Sequence, residues 1–243
     1  MAKAYLDLDI GNTFTKFQGY GGLGHLSGRF RNSDFRQIEL MFGQEVAGQS
    51  VTVRLAAVGD IGHFDRIVSM LDRYAVKWYR VTSELLTDYI QLAYQDVTSI
   101  GVDRVLNMIA INHIYPKRKY IIVSVGTALT IDLLANGKHL GGYILQSPES
   151  QLKSFPAVAN LPSLDIGEDV SLNPGSNTED CMRSGVMLSA IAALEYISLK
   201  HKGYDVTITG GGAAQVSSLL SCSHQLEENL VLKGMSFIHR GCD

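Results

Sequence analysis

The stretch "VSVGTALTID", Val123 to Asp132, is an apolar strand run, a Gly-Thr-Ala turn and a second β-type run. It has a counterpart near the start of the chain. There "AYLDLDI" (residues 4–10) alternates as a strand does, meets Gly11-Asn12 and continues as "FTKFQGY". Asp9-Ile10-Gly11-Asn12-Thr13 overlays Ser124-Val125-Gly126-Thr127-Ala128. In each copy a glycine without Cβ lets backbone N–H groups approach an anion, and Thr or Asn adds side-chain donors. The pair reads as two strand–turn–strand hairpins, each opening one half of the molecule.

The rest of the chain fits two such halves. After the first hairpin come strands at 51–58 and 76–81, a helical spacing in "HFDRIVSMLDRYAV" and a helix in "RVLNMIAINHIY", closed by Pro116. The pattern restarts with "KYIIVSV" and a hairpin turning at Asn136-Gly137. A long helix follows from Ser176 to His201, with Ser176 and Glu179 at capping-box spacing. "DVTITGGGA" is then a strand, a glycine turn and a helix start, and "NLVLKGM" is a short final run. The expectation is an α/β protein of two similar domains, 1–117 and 118–243, facing each other across a cleft.

Composition narrows the class. The 243 residues hold 46% hydrophobic and 19% charged residues, which fits a folded core. Twenty-one basic against twenty-four acidic residues give a net charge of −3 and no electrostatic case for nucleic acid. Cys181, Cys222 and Cys242 are widely spaced and read as reduced thiols of a cytoplasmic protein. The acids in the first apolar run argue against a signal peptide, and no run reads as membrane-spanning.

Two tempting motifs fail. "GYGGLG" (Gly19–Gly24) matches GxGxxG but opens no helix, so it is a turn. GxxxxGK[ST] is absent, since Gly137-Lys138 is followed by His139. What remains is "DIGNTFTK", where Gly11, Asn12, Thr13, Thr15 and Lys16 can hold phosphates and Asp9 can hold magnesium through water. "IGVDRVLNM" adds Asp103 and Arg104 at a helix start. An acid in a first turn is stabilising in itself. It can also take a proton from a hydroxyl while Arg104 clamps an anion.

These residues resemble the type III pantothenate kinases, within the actin-like (ribonuclease-H-like) and sugar-kinase-like ATPases. The matching elements are "DIGNT" with Lys16, "GVDR" (101–104), "GTALTID" (126–132), "LGG" (140–142), "NT" (177–178), "SGV" (184–186) and "TGG" (209–211), in that order along the chain. The resemblance implies two actin-like domains with a nucleotide cleft between them. It also implies ATP-dependent phosphorylation of pantothenate, the first step towards coenzyme A. Asp103 would be the general base. Asp9, Gly11, Asn12, Thr13, Lys16, Gly126, Thr127, Gly210 and Gly211 would hold nucleotide. Tyr94, Gly101, Val102, Arg104 and Thr178 would hold pantothenate. Mg²⁺, a monovalent cation (K⁺ or NH₄⁺), a homodimer and a cytoplasmic location are further implications, with neither nucleic acid nor membrane as a partner. The chain departs from the family pattern at Ser124, where the family usually has an Asp associated with the monovalent cation. It departs again at Leu145-Gln146-Ser147, where Pro-Gly is usual. A neutral hydroxyl is a weaker ligand for a hard cation than a carboxylate. The alternative function is a non-catalytic, nucleotide-binding regulatory relative.

Overall fold

A computed structural model describes residues 4–59, 61–116, 118–167 and 169–238. In chain order the elements are β1 (Ala4–Ile10), β2 (Phe14–Tyr20), β3 (Ser27–Arg31), α1 (Phe35–Met41), β4 (Val51–Ala57), α2 (Ile61–Arg73), β5 (Lys77–Val81) and α3 (Val102–Ile114). There follow β6 (Lys119–Val125), β7 (Ala128–Ala135), β8 (Lys138–Gln146), α4 (Pro148–Ala159), α5 (Thr178–Lys200), β9 (Asp205–Thr209), α6 (Ala213–Leu219), β10 (His224–Leu226) and α7 (Leu230–Phe237).

The chain forms two compact units, one running to His113 and resuming at Leu230, the other Ile114–Asn229. The boundary expected after residue 117 falls on Lys117, outside the described residues. Residues 230–237, read from the sequence as the end of the second domain, form α7. That helix packs on β1 and β2, with Gly234 against the backbone of Leu106 in α3.

In the first unit the sheet order is β3-β2-β1-β4-β5. β1 pairs antiparallel with β2 and parallel with β4, and β5 extends the parallel side. Strand alternation sends Leu6, Leu8, Ile10, Phe17, Val53 and Leu55 to one face, where Ile38 of α1 and Ile67, Met70 and Leu71 of α2 close the core. At roughly 1.5–3 kcal/mol per buried large apolar side chain, this face is the main stabilising term of the unit. The other face carries Asp7, Asp9, Lys16 and Arg54. Asp7 and Arg54 are fully buried and form a two-point ion pair, both bonds 2.6 Å long. Arg54 also donates to the carbonyl of Ile238 at 3.4 Å, which ties the end of α7 to the sheet.

The second unit repeats that plan. Its order, read from the antiparallel edge, is β8-β7-β6-β9-β10, with β6 central, β7 antiparallel to it and β9 parallel. Ile121, Val123, Val125, Leu129, Ile131, Val206 and Ile208 face Met187, Ile191 and Leu194 of α5 and Val216 of α6. On the opposite face, Ser124 stands in register with Thr130 on β7 and Thr209 on β9, a polar row beyond the buried Tyr120 and Ile122. Asp132 is buried on this face, with His139 Nε2 3.1 Å from its Oδ1. A bulge between Leu133 and Leu134 shifts β8 locally at this point.

Several local expectations need correction. α5 is capped by Asn177 rather than Ser176: the Asn177 Oδ1 accepts from the Asp180 N–H at 3.0 Å. α5 is also, by length and composition, apolar enough to cross a membrane, which the sequence reading had not recognised; one side of it lies in the second core. His113, near the end of α3, is exposed and stacks on Phe237 with ring centres 3.8 Å apart. Ser147, in the segment that departs from Pro-Gly, caps α4: its Oγ accepts from the Ser150 N–H at 3.2 Å, and Pro148 occupies the first turn. Cys181 and Cys222 are free thiols, and Cys242 lies outside the described residues.

Candidate active site

In the first unit the candidate residues gather at the central strand of the sheet. β1 ends at Ile10, and Gly11–Thr13 turn the chain into β2, with the Gly11 N–H donating to the Phe14 carbonyl at 3.1 Å. Asp9, the last residue of β1 on the polar face, pairs across the sheet with Lys16, and Lys16 with Arg29. Asp9 has its pKa raised from 3.8 to about 7. Burial is the largest cause, Lys16 opposes it, and the negative charge of Asp103 adds to it. Asp9, Lys16 and Asp103 therefore share one electrostatic site, although Asp103 is far away in sequence.

Asp103 stands in the first turn of α3. The segment before it is fixed: the Ser83 hydroxyl donates to the Ile100 carbonyl at 2.7 Å, and the Gly101 carbonyl accepts from the Arg104 N–H at 3.1 Å. A Cβ on Gly101 would lie 2.5 Å from the Asp103 Oδ1, so only glycine leaves that carboxylate in place. Val102 and Arg104 are buried, Arg104 at 4% exposure. The Arg104 Nη1 donates to the Tyr94 hydroxyl at 2.9 Å, with the guanidinium 5.6 Å from the Tyr94 ring centre. The motif thus gathers a carboxylate, a buried guanidinium and an aromatic hydroxyl.

In the second unit a separate set of candidate residues gathers at the corresponding strand end of its sheet. Ser124 takes the place on β6 that Asp9 has on β1, and the tight turn Gly126-Thr127 is closed by the Gly126 N–H donating to the Ala128 carbonyl at 2.9 Å. Ser150 of α4 donates to the Thr127 carbonyl at 2.6 Å. The glycine turn after β9 lies alongside: the Gly212 N–H donates to the Val125 carbonyl at 3.0 Å. Gly210 has φ +101°, and a Cβ there would run into the Val125 backbone. Gly211 is exposed next to it. Ser124, Gly126, Thr127, Gly210 and Gly211 are therefore brought together. Thr178 is exposed in the first turn of α5, at a cavity of about 490 Å³ walled by Phe155, Leu161 and Met182.

The sequence reading missed Asn32, His63 and Ser150. Asn32 bonds the first turn directly, His63 backs it through Thr15, and Ser150 holds the second turn. All three act from outside the motifs they support. The seryl N-cap pattern Ser147-Pro148 was the one local signal that leads to Ser150.

A family profile for type III pantothenate kinase matches residues 5–200. The type III pantothenate kinase of Acinetobacter baylyi is 30% identical over 239 residues, covering 94% of each chain. That of Psychrobacter arcticus is 26% identical, covering 94% of this chain and 95% of its own. Among solved structures, a Baf family protein from Campylobacter jejuni superposes with a TM-score of 0.60 at 21% identity, covering 95% of both chains. The ethanolamine utilization protein EutJ from Carboxydothermus hydrogenoformans gives 0.51 at 11%, covering 96% of this chain and 88% of its own. Those two likenesses are of fold alone; the profile, with the relatives matched along nearly their whole length, makes this chain a member of the type III pantothenate kinase family.

Proposed function

We infer that this chain transfers the γ-phosphoryl group of ATP to the primary hydroxyl of pantothenate, with the residues above in distinct roles. The observation that carries the assignment is the joint electrostatic site of Asp9, Lys16 and Asp103 beside the buried Arg104. Asp103 accepts the hydroxyl proton as the oxygen attacks the γ-phosphorus; the bond to the bridging oxygen breaks and ADP leaves. Arg104, oriented by Tyr94, pairs with the pantothenate carboxylate. Gly101 and Val102 shape that subsite, and Thr178 adds a hydroxyl. Backbone N–H groups of the turns at Gly11–Thr13 and Gly126-Thr127, with Lys16, hold the phosphates. Gly210 and Gly211 border the nucleotide. Catalysis on this reading is positioning and charge stabilisation.

Asp9 suits a hard divalent cation. Its carboxylate is held largely out of water near a second carboxylate, and a bound cation relieves the cost of ionising it. Magnesium at this place supplies charge neutralisation for the phosphates. Ser124 offers only a hydroxyl, beside those of Thr130 and Thr209, so potassium or ammonium dependence is weak in this member. The homodimer is supported by α5, where Leu188, Ala192, Tyr196 and Leu199 are exposed at helical spacing and form an apolar stripe. The cytoplasmic assignment is part of the same reading.

The test is ADP release coupled to a reporter, with pantothenate, MgATP and a series of potassium and ammonium concentrations. Pantothenate-dependent turnover is the expected result. Nucleotide binding without turnover in any salt would favour the regulatory alternative.

A further inference from the structure

The first turn is braced by Asn32 and His63, which no motif of the chain contains, and by Thr15 of "DIGNTFTK", which is buried between them rather than turned towards a phosphate. Asn32 follows the edge strand β3 and reaches the turn at two carbonyls. Its backbone N–H donates to the Thr13 carbonyl at 2.9 Å, and its side-chain Nδ2 donates to the Gly11 carbonyl at 2.7 Å. Behind it stands Thr15, 1% exposed, whose Oγ1 is 3.0 Å from the Asn32 Oδ1 and 2.9 Å from the Nε2 of buried His63. His63 is seated edge-on to the Phe35 ring, 6.0 Å away.

The direction of every bond in this chain follows from one acceptor. A carbonyl cannot donate, so the amide nitrogen of Asn32 must face Gly11. Its oxygen then faces Thr15, and the single hydroxyl proton of Thr15 goes to it. The remaining lone pairs of Thr15 accept, so His63 carries its proton on Nε2. The relay runs His63 Nε2–H to Thr15, Thr15 O–H to Asn32, Asn32 Nδ2–H to the Gly11 carbonyl.

The consequence lies on the other side of the peptide. The unit is planar and trans, so the Asn12 N–H points opposite to the Gly11 carbonyl. Drawing that carbonyl towards Asn32 aims the Asn12 N–H away from Asn32. We propose that Asn32, backed by Thr15 and His63, is a positioning residue for nucleotide phosphates, setting the direction in which the first turn presents its backbone donor. This rests on reading Gly11–Thr13 as a phosphate loop.

The experiment compares Asn32→Leu, His63→Leu and His63→Gln with the parent protein. Calorimetric Kd for MgADP and separate KM values for ATP and pantothenate are the readouts, and thermal melting reports folding. Asn32→Leu is expected to weaken MgADP binding and raise KM for ATP about tenfold, the effect of losing a buried hydrogen bond and leaving its partner unpaired. KM for pantothenate stays within about twofold. His63→Leu shows a smaller change of the same kind. His63→Gln, whose side-chain amide can replace the lost N–H donor, restores most of it. An MgADP Kd within twofold of the parent in folded Asn32→Leu would overturn the proposal. So would equal losses for both substrates, or His63→Gln no better than His63→Leu. Should Asn32→Leu fail to fold, the His63 pair decides. A parent protein that binds MgADP but never phosphorylates pantothenate defeats the functional reading, whereas the relay is still judged on MgADP affinity alone.

Discussion

Replacing Asp9 by Asn should make the ligand-free protein more stable while removing its activity, and the gain should depend on pH. The pKa of Asp9 rises from 3.8 to about 7 on folding, with burial the main cause. At 1.36 kcal/mol per pKa unit, keeping this carboxylate ionised in the fold costs about 4 kcal/mol. The side chain retains some exposure, so that figure is an upper bound. The folded state binds the proton more tightly than the unfolded chain. The carboxyl therefore makes no demand below about pH 4, and stability falls as pH climbs from there to about 7 and then levels. Asn carries no such penalty. The advantage of Asp9→Asn over the parent should be about 2 kcal/mol at pH 5 and about 4 at pH 8, and the difference between the two pH values cancels the titration of groups not coupled to Asp9. Urea unfolding in EDTA measures it. The sole tryptophan, Trp78, lies in β5 of the sheet that holds Asp9, so its fluorescence follows the right unit. Added Mg²⁺ should stabilise the parent at pH 8 and leave Asp9→Asn unmoved. A gap that is the same at pH 5 and pH 8 would refute the reasoning, because it would mean that Asp9 does not change its proton affinity on folding.

Other substitutions separate the remaining roles. Asp103→Asn should lose at least a hundredfold in kcat, about 3 kcal/mol of barrier, and keep MgATP affinity; unchanged turnover would reject the base assignment. Arg104→Lys should raise KM for pantothenate about tenfold and leave KM for ATP alone, since an ammonium cannot supply the guanidinium fork. Ser124→Asp should strengthen activation by potassium in a salt-series assay, and identical dependence in both proteins would mean that this position is not a cation site. Tyr196→Glu should shift the molecular mass seen by light scattering towards the monomer, with the helix signal in circular dichroism retained.

The parts of the fold that were legible were those where a local rule has one outcome. Alternation before Gly11-Asn12 and a continuous apolar run before Gly126-Thr127 marked both hairpins, and Asn136-Gly137 marked a third turn, where φ is 52° and 77°. α4 was not legible because Pro156 lies inside it, and an internal proline ordinarily argues against a helix. α1, only seven residues long, runs into a π-helical turn at Phe42–Val46 and shows too little periodicity to read. In the site, the motif residues were visible because glycine, acid and base types stand at short spacing. Their supports were not. Asn32 meets Gly11 across 21 residues and Ser150 meets Thr127 across 23, and such contacts exist only once the sheets have formed. The burial of Asp132 with His139 has the same origin, since it depends on a bulge in the β7–β8 pairing.

The repeat also explains how a serine can stand at 124. Both sheets have the same strand order, and Asp9 and Ser124 are the penultimate residues of their central strands. Their neighbours differ in charge. Asp9 lies between Lys16 and Ala56, so a lysine in its own row offsets part of the cost of burial. Ser124 lies between Thr130 and Thr209, and Asp132 follows two residues further along the same face of β7. An acid at 124 would have no cation in its row and would stand near a second buried acid. A bound counter-ion would favour its ionised form, whereas a hydroxyl carries no charge to offset. Acid and cation would thus be a coupled pair at this position: a scaffold that lacks a lysine there favours both or neither, and the Ser124→Asp salt series tests that coupling directly.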